Sequence, residues 1–468
     1  MIDLMTRKSE ILHYRNLNKA YYTDLERIHK LLVPPGLRIL EIGSGSGDLL
    51  SSLDPAYGVG LEINPEICSI ARERHQNLIF WNFDAEDVTP DKLNEDLPFD
   101  IIVINNTLNT LVDVQGLLER MTAFANHKTR IILSFHNWLW QPFLKSAEKF
   151  GQRQPQPPES WLTPNDVQNL LDLSGWELLK DGHRCLIPRN IPVFSSFANR
   201  WLSQVPVLEQ FALTHWMVAR LKPKKRINPS VSVVIPARNE AGNISDAISR
   251  LPELGSSTEV IFVEGHSTDS TWEEINAVSS SYNGPIEISK YRQEGKGKAD
   301  AVWLGFEKAK GDILIILDAD LTVRPEDLGK FVDILSDGNA EFINGCRLVY
   351  PRSKRAMPFL NTFANRFFAA TFSWLLRQRL KDTLCGTKVL WKEDYQKIKK
   401  GRKYFGDFDP FGDFDLLFGA SKLNLKIVDL PVRYQERVYG SSNISHIKEG
   451  LILTKMCFIA AKKLRFIS

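Results

Sequence analysis

The sequence predicts an α/β protein with two doubly wound domains joined by a short linker. In both halves, short apolar runs of strand length alternate with helix-length segments, as is typical of parallel strands covered by helices on both faces. The alternation restarts after a basic stretch with two prolines at 221–230. The 468 residues also exceed the length of one ordinary domain. We expect domains at 1–222 and 231–468, a linker at 223–230 and a C-terminal amphipathic helix.

The apolar runs give the predicted strands directly. In the first domain they lie at 37–42, 57–63, 78–83, 100–105 and 130–135. In the second domain they lie at 232–235, 259–263 and 312–317.

Composition excludes several classes of protein. The formal net charge of +3 argues against a nucleic-acid binder. The five cysteines are scattered and never form a CxxC pair, which argues against a disulfide framework or a structural zinc site and favours a reducing compartment. The first residues lack the apolar core of a secretory signal, and no apolar run reaches the about 20 residues of a membrane-spanning helix. We therefore expect a cytoplasmic protein.

A glycine-rich loop follows the first predicted strand. Gly43, Gly45 and Gly47 come directly before a predicted helix start. Glycine lets the backbone approach a ligand closely, and a helix N-terminus favours a polar or anionic group. No Gly-Lys-Ser/Thr follows, so a Walker phosphate loop is excluded. A tight turn without a ligand is the alternative interpretation.

Acidic residues end the next two predicted strands. Glu62 ends the second strand and Asp84 the third. The carboxyl ends of parallel strands share the sheet edge where doubly wound folds bind ligands. A carboxylate at Glu62 can accept hydrogen bonds from both ribose hydroxyls, and Asp84 can meet an adenine edge.

Residues 15–220 resemble the class I S-adenosylmethionine-dependent methyltransferases. The likeness lies in the segment 41–47, in the two acids and in the segment 99–106. It implies a Rossmann-like fold and S-adenosylmethionine as cofactor. The implied cofactor residues are Glu41, Gly43, Gly45 and Gly47 at the methionine part, Glu62 at the ribose, and Asp84 with Ala85 at the adenine.

The methyl acceptor is open. His136 follows the fifth predicted strand and is our candidate base, because the pKa of histidine lies near neutrality. A partly buried histidine that only packs is the alternative. A non-catalytic docking or sensor module also stays open for this half.

An acidic pair ends a predicted strand in the second half. Asp318 and Asp320 flank Ala319 directly after the apolar run at 312–317. Two carboxylates one residue apart can share a hard cation such as Mg²⁺ or Mn²⁺, whose shell diphosphate oxygens complete. That cation offsets the charge of a departing nucleoside diphosphate. A solvated turn is the alternative for such a short motif.

Four ordered motifs resemble the family 2 glycosyltransferases with a GT-A fold, closest to the dolichyl- and polyprenyl-phosphate sugar transferases. They lie at 235–240, 263–271, 295–299 and 318–320. The likeness implies a nucleotide-sugar donor, with Asp318 and Asp320 as metal ligands. The implied donor-binding residues are Pro236, Ala237, Arg238, Glu240, Glu264, Lys296, Lys298, Asp318, Ala319, Asp320 and Arg437. Gly265 stands where the family commonly has a second acid, which leaves the nucleotide open.

Asp413 and Asp415 resemble the acidic acceptor-side motif of that family. An inverting displacement needs one carboxylate to activate an acceptor hydroxyl, and Asp413 is the preferred candidate. A phosphate acceptor needs no base. Nucleotidyl transfer is the rival reaction, but its usual glycine- and arginine-rich opening loop is missing from 235–240.

Two helical patterns suggest contact with a lipid surface, although helices packed on their own domain would fit equally. They comprise Phe359, Phe363, Phe367, Ala370 and Trp374, and then Lys448, Lys455 and Lys462 beside Leu451 and Phe458. The sequence thus predicts a bifunctional enzyme of polysaccharide or glycolipid biosynthesis. We expect it to glycosylate a lipid-phosphate or saccharide acceptor and to methylate from S-adenosylmethionine. Peripheral contact with the inner face of the membrane and the oligomeric state stay open.

Overall fold

The computed structural model describes residues 13–93, 95–350, 359–404, 412–437, 439 and 446–467. The chain divides into two compact units. The first comprises Met1–Lys222 together with Leu464–Ser468, and the second comprises Pro223–Lys463. The C-terminal residues thus group with the first unit, whereas the sequence prediction assigned them to the second.

The first unit is built on a seven-stranded sheet in the order β3-β2-β1-β4-β5-β7-β6. Every neighbouring pair is parallel except those of β7, which runs antiparallel to β5 and β6. The strands are β1 Arg38–Ile42, β2 Tyr57–Glu62, β3 Ile79–Asn82, β4 Ile101–Asn105, β5 Arg130–His136, β6 Trp176–Arg184 and β7 Thr214–Leu221. The helices are Lys19–Leu32, Asp48–Ser52, Pro65–Arg74, Pro90–Leu93, Val114–Met121, Gln141–Lys149, Pro164–Leu173 and Phe194–Arg200.

The central strands of this sheet are apolar because helices cover both of their faces. Every residue of β5 is buried, as are the first four of β4. The strand order reverses between β1 and β4. The loops after these two strands therefore diverge and leave a crevice at the carboxyl edge, where this class of fold binds ligands.

The second unit has a seven-stranded sheet in the order β10-β9-β8-β11-β13-β12-β14. Only β13 is antiparallel, to both β11 and β12. The strands are β8 Val231–Ala237, β9 Thr258–Glu264, β10 Glu287–Arg292, β11 Ile313–Ile316, β12 Phe342–Cys346, β13 Lys388–Trp391 and β14 Ile427–Pro431. The helices are Ile244–Ser249, Thr271–Ser281, Lys298–Lys308, Leu328–Ser336, Phe359–Leu376, Lys392–Gly401, Asp413–Lys422 and His446–Ala460.

Here the strand order reverses between β8 and β11. The parallel strands β8, β9 and β11 therefore end at one edge, which collects the polar residues that follow them. The predicted pair of α/β domains is confirmed, with mixed sheets in place of purely parallel ones.

Candidate active sites

The glycine-rich loop after β1 has one open position. Gly43, Gly45 and Gly47 have φ values of 70°, 53° and 76°, which glycine adopts without strain. A Cβ at Gly43 would lie 2.2 Å from Thr107 Oγ1, and one at Gly47 would lie 2.5 Å from Phe80 Cζ. A Cβ at Gly45 would meet nothing within 4 Å. The backbone at Gly45 therefore faces open space that a ligand can enter.

Glu62, at the end of β2, is held toward this loop. Its Oε2 accepts a hydrogen bond of 2.9 Å from the Gly45 N–H, and its Oε1 accepts one of 2.8 Å from the Asn64 N–H. Burial raises the pKa of the Glu62 carboxyl, while these two donors act to lower it. The carboxylate is thus fixed beside the loop, where a diol could bridge its oxygens.

The next two positions of the predicted cofactor site lie along the same edge. Asp84 is exposed and caps the turn Ala85–Asp87 by accepting a hydrogen bond of 2.9 Å from the Glu86 N–H, and Ala85 is buried. Ile63, which is 64% exposed directly after Glu62, was not predicted from the sequence. An exposed isoleucine there offers an apolar face to a flat base, and the apolar residue after a strand-end acid was the available signal.

Glu41 lies in β1 beneath the loop and is only 2% exposed. Its Oε2 has no hydrogen-bond partner among the described residues. Burial raises the pKa of the Glu41 carboxyl to about 8. A buried carboxyl with a free oxygen is suited to a cationic partner, which would favour its ionised form.

His136 ends β5 and belongs to a polar cluster. Its Nε2 lies 3.3 Å from the Tyr21 hydroxyl oxygen, and the Asn106 amide donates a hydrogen bond to the same oxygen. Its Nδ1 is buried without a hydrogen-bond partner in the described parts of the chain. Burial lowers the pKa of His136 to about 3, so the ring is neutral near pH 7. A neutral ring fits a hydrogen-bond acceptor better than a strong base, and its partner Tyr21 was not predicted from the sequence.

The acidic pair after β11 is bound by two cationic side chains. Lys298 Nζ lies 2.6 Å from Asp318 Oδ1, and Arg437 Nη2 lies 2.6 Å from Asp320 Oδ2. The Asp320 Oδ1 also accepts hydrogen bonds from the backbone and hydroxyl of Thr322. The structure therefore brings together four predicted donor-site residues from three distant segments.

The electrostatics of this pair follow from its surroundings. Burial opposes ionisation of Asp318, but the Lys298 ammonium outweighs it, and the pKa of the Asp318 carboxyl lies below its ordinary value. Burial likewise disfavours the charged form of Lys298, but Asp318 and Asp413 hold its pKa above the ordinary range. Both groups are therefore charged near pH 7.

Gly386 makes room for the Lys298–Asp318 pair. A Cβ at Gly386 would lie 2.1 Å from Asp318 Oδ2 and 2.4 Å from Lys298 Nζ. No L-residue with a side chain fits there without displacing one of the two charges. A single glycine before β13 gives no signal of this in the sequence.

The residues present fit a cation that a ligand helps to hold. Within the described ranges, no group of three or more His, Cys, Asp or Glu side chains could hold a metal ion alone. Asp318 and Asp320 supply two carboxylates, so further oxygen ligands would come from a diphosphate and water. Mg²⁺ and Mn²⁺ prefer such an all-oxygen shell.

The nucleoside side of the edge is built from the ends of β8 and β9. The Glu264 carboxylate accepts a hydrogen bond from the Ser267 N–H, and the Gly265 N–H donates to the Ala237 carbonyl at 2.9 Å. Gln293 also lies here, although it was not predicted as a site residue. A Cβ at Gly265 would lie 3.4 Å from the Gln293 Nε2. Gln293 is 5% exposed, and its Oε1 has no hydrogen-bond partner in the described chain. This amide lies beside the position where the family's second acid would stand.

The other predicted donor residues differ in how they are held. Glu240 is buried, and Arg437 Nη1 lies 3.3 Å from its Oε1. Burial raises the pKa of Glu240 to about 7, against the opposing effect of Arg437. Lys296 and Arg238 are exposed, and Pro236 is half-buried.

The structure separates the two candidate bases. Gly412, with φ 75°, packs so closely that a Cβ there would lie 2.9 Å from Ala299 Cα. This approach brings Asp413 Oδ2 to 3.5 Å from Lys298 Nζ, next to the Asp318 carboxylate. Asp415 instead accepts a hydrogen bond of 2.9 Å from Arg402, whose guanidinium stacks on the Trp303 ring. Asp413 therefore faces the donor site, and Asp415 is engaged in an ion pair.

Two helices of the second unit carry the apolar patterns that suggested contact with a lipid surface. Some of the apolar side chains in those patterns are exposed. In Phe359–Leu376, Phe367 is 61% exposed, and in His446–Ala460, Leu451 and Phe458 are 68% and 74% exposed. The side chains of Phe359, Phe363 and Lys448 lie outside the described residues. None of the described helices has the length and apolar character needed to cross a membrane.

Two family models match this chain. Residues 34–174 match a model described as a methyltransferase domain. Residues 232–399 match a model described as glycosyl transferase family 2. The two segments lie on either side of the predicted linker. The first contains Glu41, Glu62 and His136, and the second contains Lys298, Asp318 and Asp320, whereas Tyr21, Asp413 and Arg437 lie outside the matched ranges.

Curated relatives are similar to part of this chain. A dolichol-phosphate mannosyltransferase from Pyrococcus furiosus is 28% identical over 221 residues, which is 46% of this chain and 59% of that protein. One from Saccharomyces cerevisiae is 38% identical over 112 residues, covering 23% and 41%. An undecaprenyl-phosphate 4-deoxy-4-formamido-L-arabinose transferase from Pseudomonas aeruginosa is 32% identical, covering 23% and 33%. The chain thus spans about a third to three fifths of the length of these relatives.

Part of the chain is also similar to solved structures. An S-adenosylmethionine-dependent methyltransferase from Thermotoga maritima is 17% identical with a TM-score of 0.35, covering 47% of this chain and 100% of that one. A magnesium protoporphyrin IX methyltransferase from Synechocystis with bound S-adenosylhomocysteine is 16% identical with a TM-score of 0.28, covering 45% and 83%. By its family-model matches, the chain resembles the methyltransferases in its first half and the family 2 glycosyltransferases in its second half.

Proposed function

We propose that the second unit transfers a sugar from a nucleotide-sugar to a lipid phosphate, with a divalent cation held by Asp318 and Asp320. The observation that carries this proposal is the pairing of those two carboxylates with Lys298 and Arg437. Two carboxylates and two cationic side chains gathered at one strand end are the groups that a metal–diphosphate complex requires. The polyprenyl-phosphate transferases among the relatives support the acceptor class.

In this proposal each side chain has a defined task. When bound, the cation offsets negative charge on the leaving diphosphate. Lys298 and Arg437 turn from the carboxylates to phosphate oxygens, for which the forked guanidinium of Arg437 is well suited. Glu264 and Gln293 contact the nucleoside, and the Gln293 amide selects among bases through its free acceptor.

The direct test is a transfer assay. UDP- and GDP-sugars are offered with Mn²⁺ and a polyprenyl phosphate or a soluble saccharide. We expect transfer from donors of one nucleotide class to the lipid phosphate, and loss of transfer on chelation. Absence of cation-dependent transfer from every donor to either acceptor would sink the proposal.

Asp413→Asn reports on the acceptor in the same assay. A phosphate acceptor carries its own nucleophilic charge, so the variant should retain its kcat within about tenfold and mainly raise the acceptor KM. A hydroxyl acceptor depends on the base, and kcat should then fall about 10²- to 10⁴-fold. Asp415→Asn is the matched control, because it weakens the Arg402 contact and should lower stability by about 1–3 kcal/mol without this kinetic signature.

For the first unit we propose methyl transfer from S-adenosylmethionine. The open backbone at Gly45 beside the fixed Glu62 carboxylate supports this proposal. The cofactor supplies a methyl group on a sulfonium centre. Glu62 would hold the ribose, Ile63 and Ala85 would pack on the adenine, and Glu41 would pair with the amino group. His136 and Tyr21 would orient the acceptor.

S-adenosylhomocysteine binding should carry a pH signature. Because the pKa of Glu41 is raised to about 8, the carboxyl is mostly protonated below that pH, and pairing with the ligand's ammonium must first release a proton. We expect the affinity to rise several-fold as the pH rises from about 6 toward 8. Calorimetry of the wild type and of Glu41→Gln provides the check, and the variant should bind more weakly with little pH dependence. Equal pH profiles would contradict this role for Glu41, and no binding at any pH would contradict the cofactor itself.

Together the two proposals describe a bifunctional enzyme of polysaccharide or glycolipid biosynthesis. Two activities in one chain would act on one intermediate in successive steps. We propose a membrane surface as the place of this work, since a lipid phosphate presents its charged group at such a surface. A non-catalytic first unit is the alternative, and the binding experiment above separates it in part.

A further inference from the structure

The first unit has an exposed aromatic surface on segments that its proposed cofactor site does not use. Its members lie after β5 and in the connection between β6 and β7. We define the aromatic surface as Trp138, Phe143, Val193, Phe194, Phe197 and Phe211. These side chains are between 49% and 85% exposed. Clusters of large exposed apolar side chains are uncommon on soluble proteins and mark interaction surfaces.

The two segments that form the surface are joined to each other. Asn137 Nδ2 donates hydrogen bonds to the Gln210 and Ala212 carbonyls, and Trp140 Nε1 donates to the Phe211 carbonyl at 2.8 Å. The Trp140 and Phe143 rings lie 5.7 Å apart. The segment after β5 is therefore held against the end of the connection that leads into β7.

The aromatic surface also adjoins the edge that carries His136. Asn137, which ties the two segments together, directly follows His136. A small apolar core under the segments contains Leu144, Leu213 and Tyr21, and the Tyr21 hydroxyl is the partner of His136. A ligand on the aromatic surface would thus lie next to the proposed acceptor side.

The charge around the surface favours an anionic partner. Lys145 and Lys149 are exposed on the helix Gln141–Lys149. The acids of the two segments, Glu148 and Glu209, form ion pairs with arginines. A second copy packed through the same surface would bring these lysines against their own equivalents, which is unfavourable. Aromatic side chains with a basic rim suit the interface of an anionic bilayer.

We propose that the aromatic surface docks the first unit on an anionic lipid bilayer and presents the His136 edge to a lipid-borne methyl acceptor. The docking part of this proposal depends only on the aromatic surface. Only the presentation of an acceptor rests on the proposed methyl transfer, and loss of methyl transfer would leave vesicle binding unchanged.

The test uses the full chain and vesicles of phosphatidylcholine with or without phosphatidylglycerol. We expect cosedimentation with the anionic vesicles, and amide-exchange protection on residues 191–211 when they are present. Failure to sediment, or sedimentation without protection there, would overturn the proposal. Protection that appears without vesicles and grows with protein concentration would identify a second copy as the occupant and overturn it equally.

Variants make the assignment specific. Phe194→Ser/Phe197→Ser should weaken vesicle affinity by more than about tenfold, because two exposed rings are lost. Val193→Gly is a second variant that should fold safely, since Val193 has φ 66° and ψ −47°, a conformation that glycine adopts without steric cost. Leu173→Ser is the control, because Leu173 is also exposed, at 60%. It lies just before β6 begins, whereas the connection that carries Val193, Phe194 and Phe197 follows the other end of β6. An equal loss in Leu173→Ser would contradict a specific docking surface.

Discussion

Asp320→Asn is expected to reduce sugar transfer about 10³-fold, because the second carboxylate of the proposed cation site loses its charge. The local fold should survive. The asparagine carbonyl can still accept the hydrogen bonds from Thr322 that Asp320 Oδ1 now accepts. The contact with Arg437 loses its ionic character, so the Arg437 side chain should be held less firmly in the absence of donor. Steady-state transfer rates and Mn²⁺ binding in the presence of a nucleoside diphosphate are the measurements.

The control for this variant is Asp312→Asn. Asp312 lies directly before β11, whereas Asp318 and Asp320 follow the other end of that strand. Its carboxylate accepts hydrogen bonds from the Ser230 backbone and hydroxyl. Its replacement should lower stability modestly and leave kcat unchanged. Wild-type transfer and an unchanged cation requirement in Asp320→Asn would show that the acidic pair does not hold the cation.

Gly386→Ala is the second variant with a large expected effect. The added methyl group would lie 2.1 Å from Asp318 Oδ2 and 2.4 Å from Lys298 Nζ, so the ion pair between them must move apart. Because the obstacle is two side-chain ends and not the backbone, the fold can adjust while the donor site is distorted. We expect transfer to fall at least about 10²-fold, with the melting temperature shifted by only a few degrees.

Gly329→Ala is the matched substitution. Gly329 lies in the helix Leu328–Ser336, and a Cβ there would meet nothing within 4 Å. Alanine should stabilise this helix by about 0.5–1 kcal/mol and leave activity intact. Comparable activity in the two variants would mean that the space beside Asp318 is unimportant for the reaction.

The fold was predictable where burial on both faces makes a strand continuously apolar. The strands β1 to β5 fall on the five predicted runs for this reason. In contrast, β6 contains Lys180, Asp181 and His183, and it alternates between buried and half-buried residues at the edge of its sheet. The edge strand β10 has no buried residue at all. Neither pattern resembles a buried parallel strand, so both were missed.

Site residues were predictable where a motif is short and sits at a strand end. Asp318 with Asp320, and Glu62 with Gly45, are of this kind. Tyr21, by contrast, reaches His136 across 115 positions of sequence. Gly386 matters only because the fold carries β13 next to β11. Contacts of this sort arise from tertiary packing, and no local pattern encodes them.

The pairing of Asp318 with Lys298 and of Asp320 with Arg437 has a consequence for the order in which ligands arrive. Two negative and two positive charges cancel among these four side chains, so a free cation feels little net attraction from them. A cation arriving alone must displace an ammonium or a guanidinium from its shortest contact, which leaves Lys298 with its longer contact to Asp413 at 3.5 Å and Arg437 with its longer contact to Glu240 at 3.3 Å. A cation already complexed with a nucleoside diphosphate brings phosphate oxygens that receive both displaced groups. Binding is then an exchange of partners, and the donor and its cation should enter together.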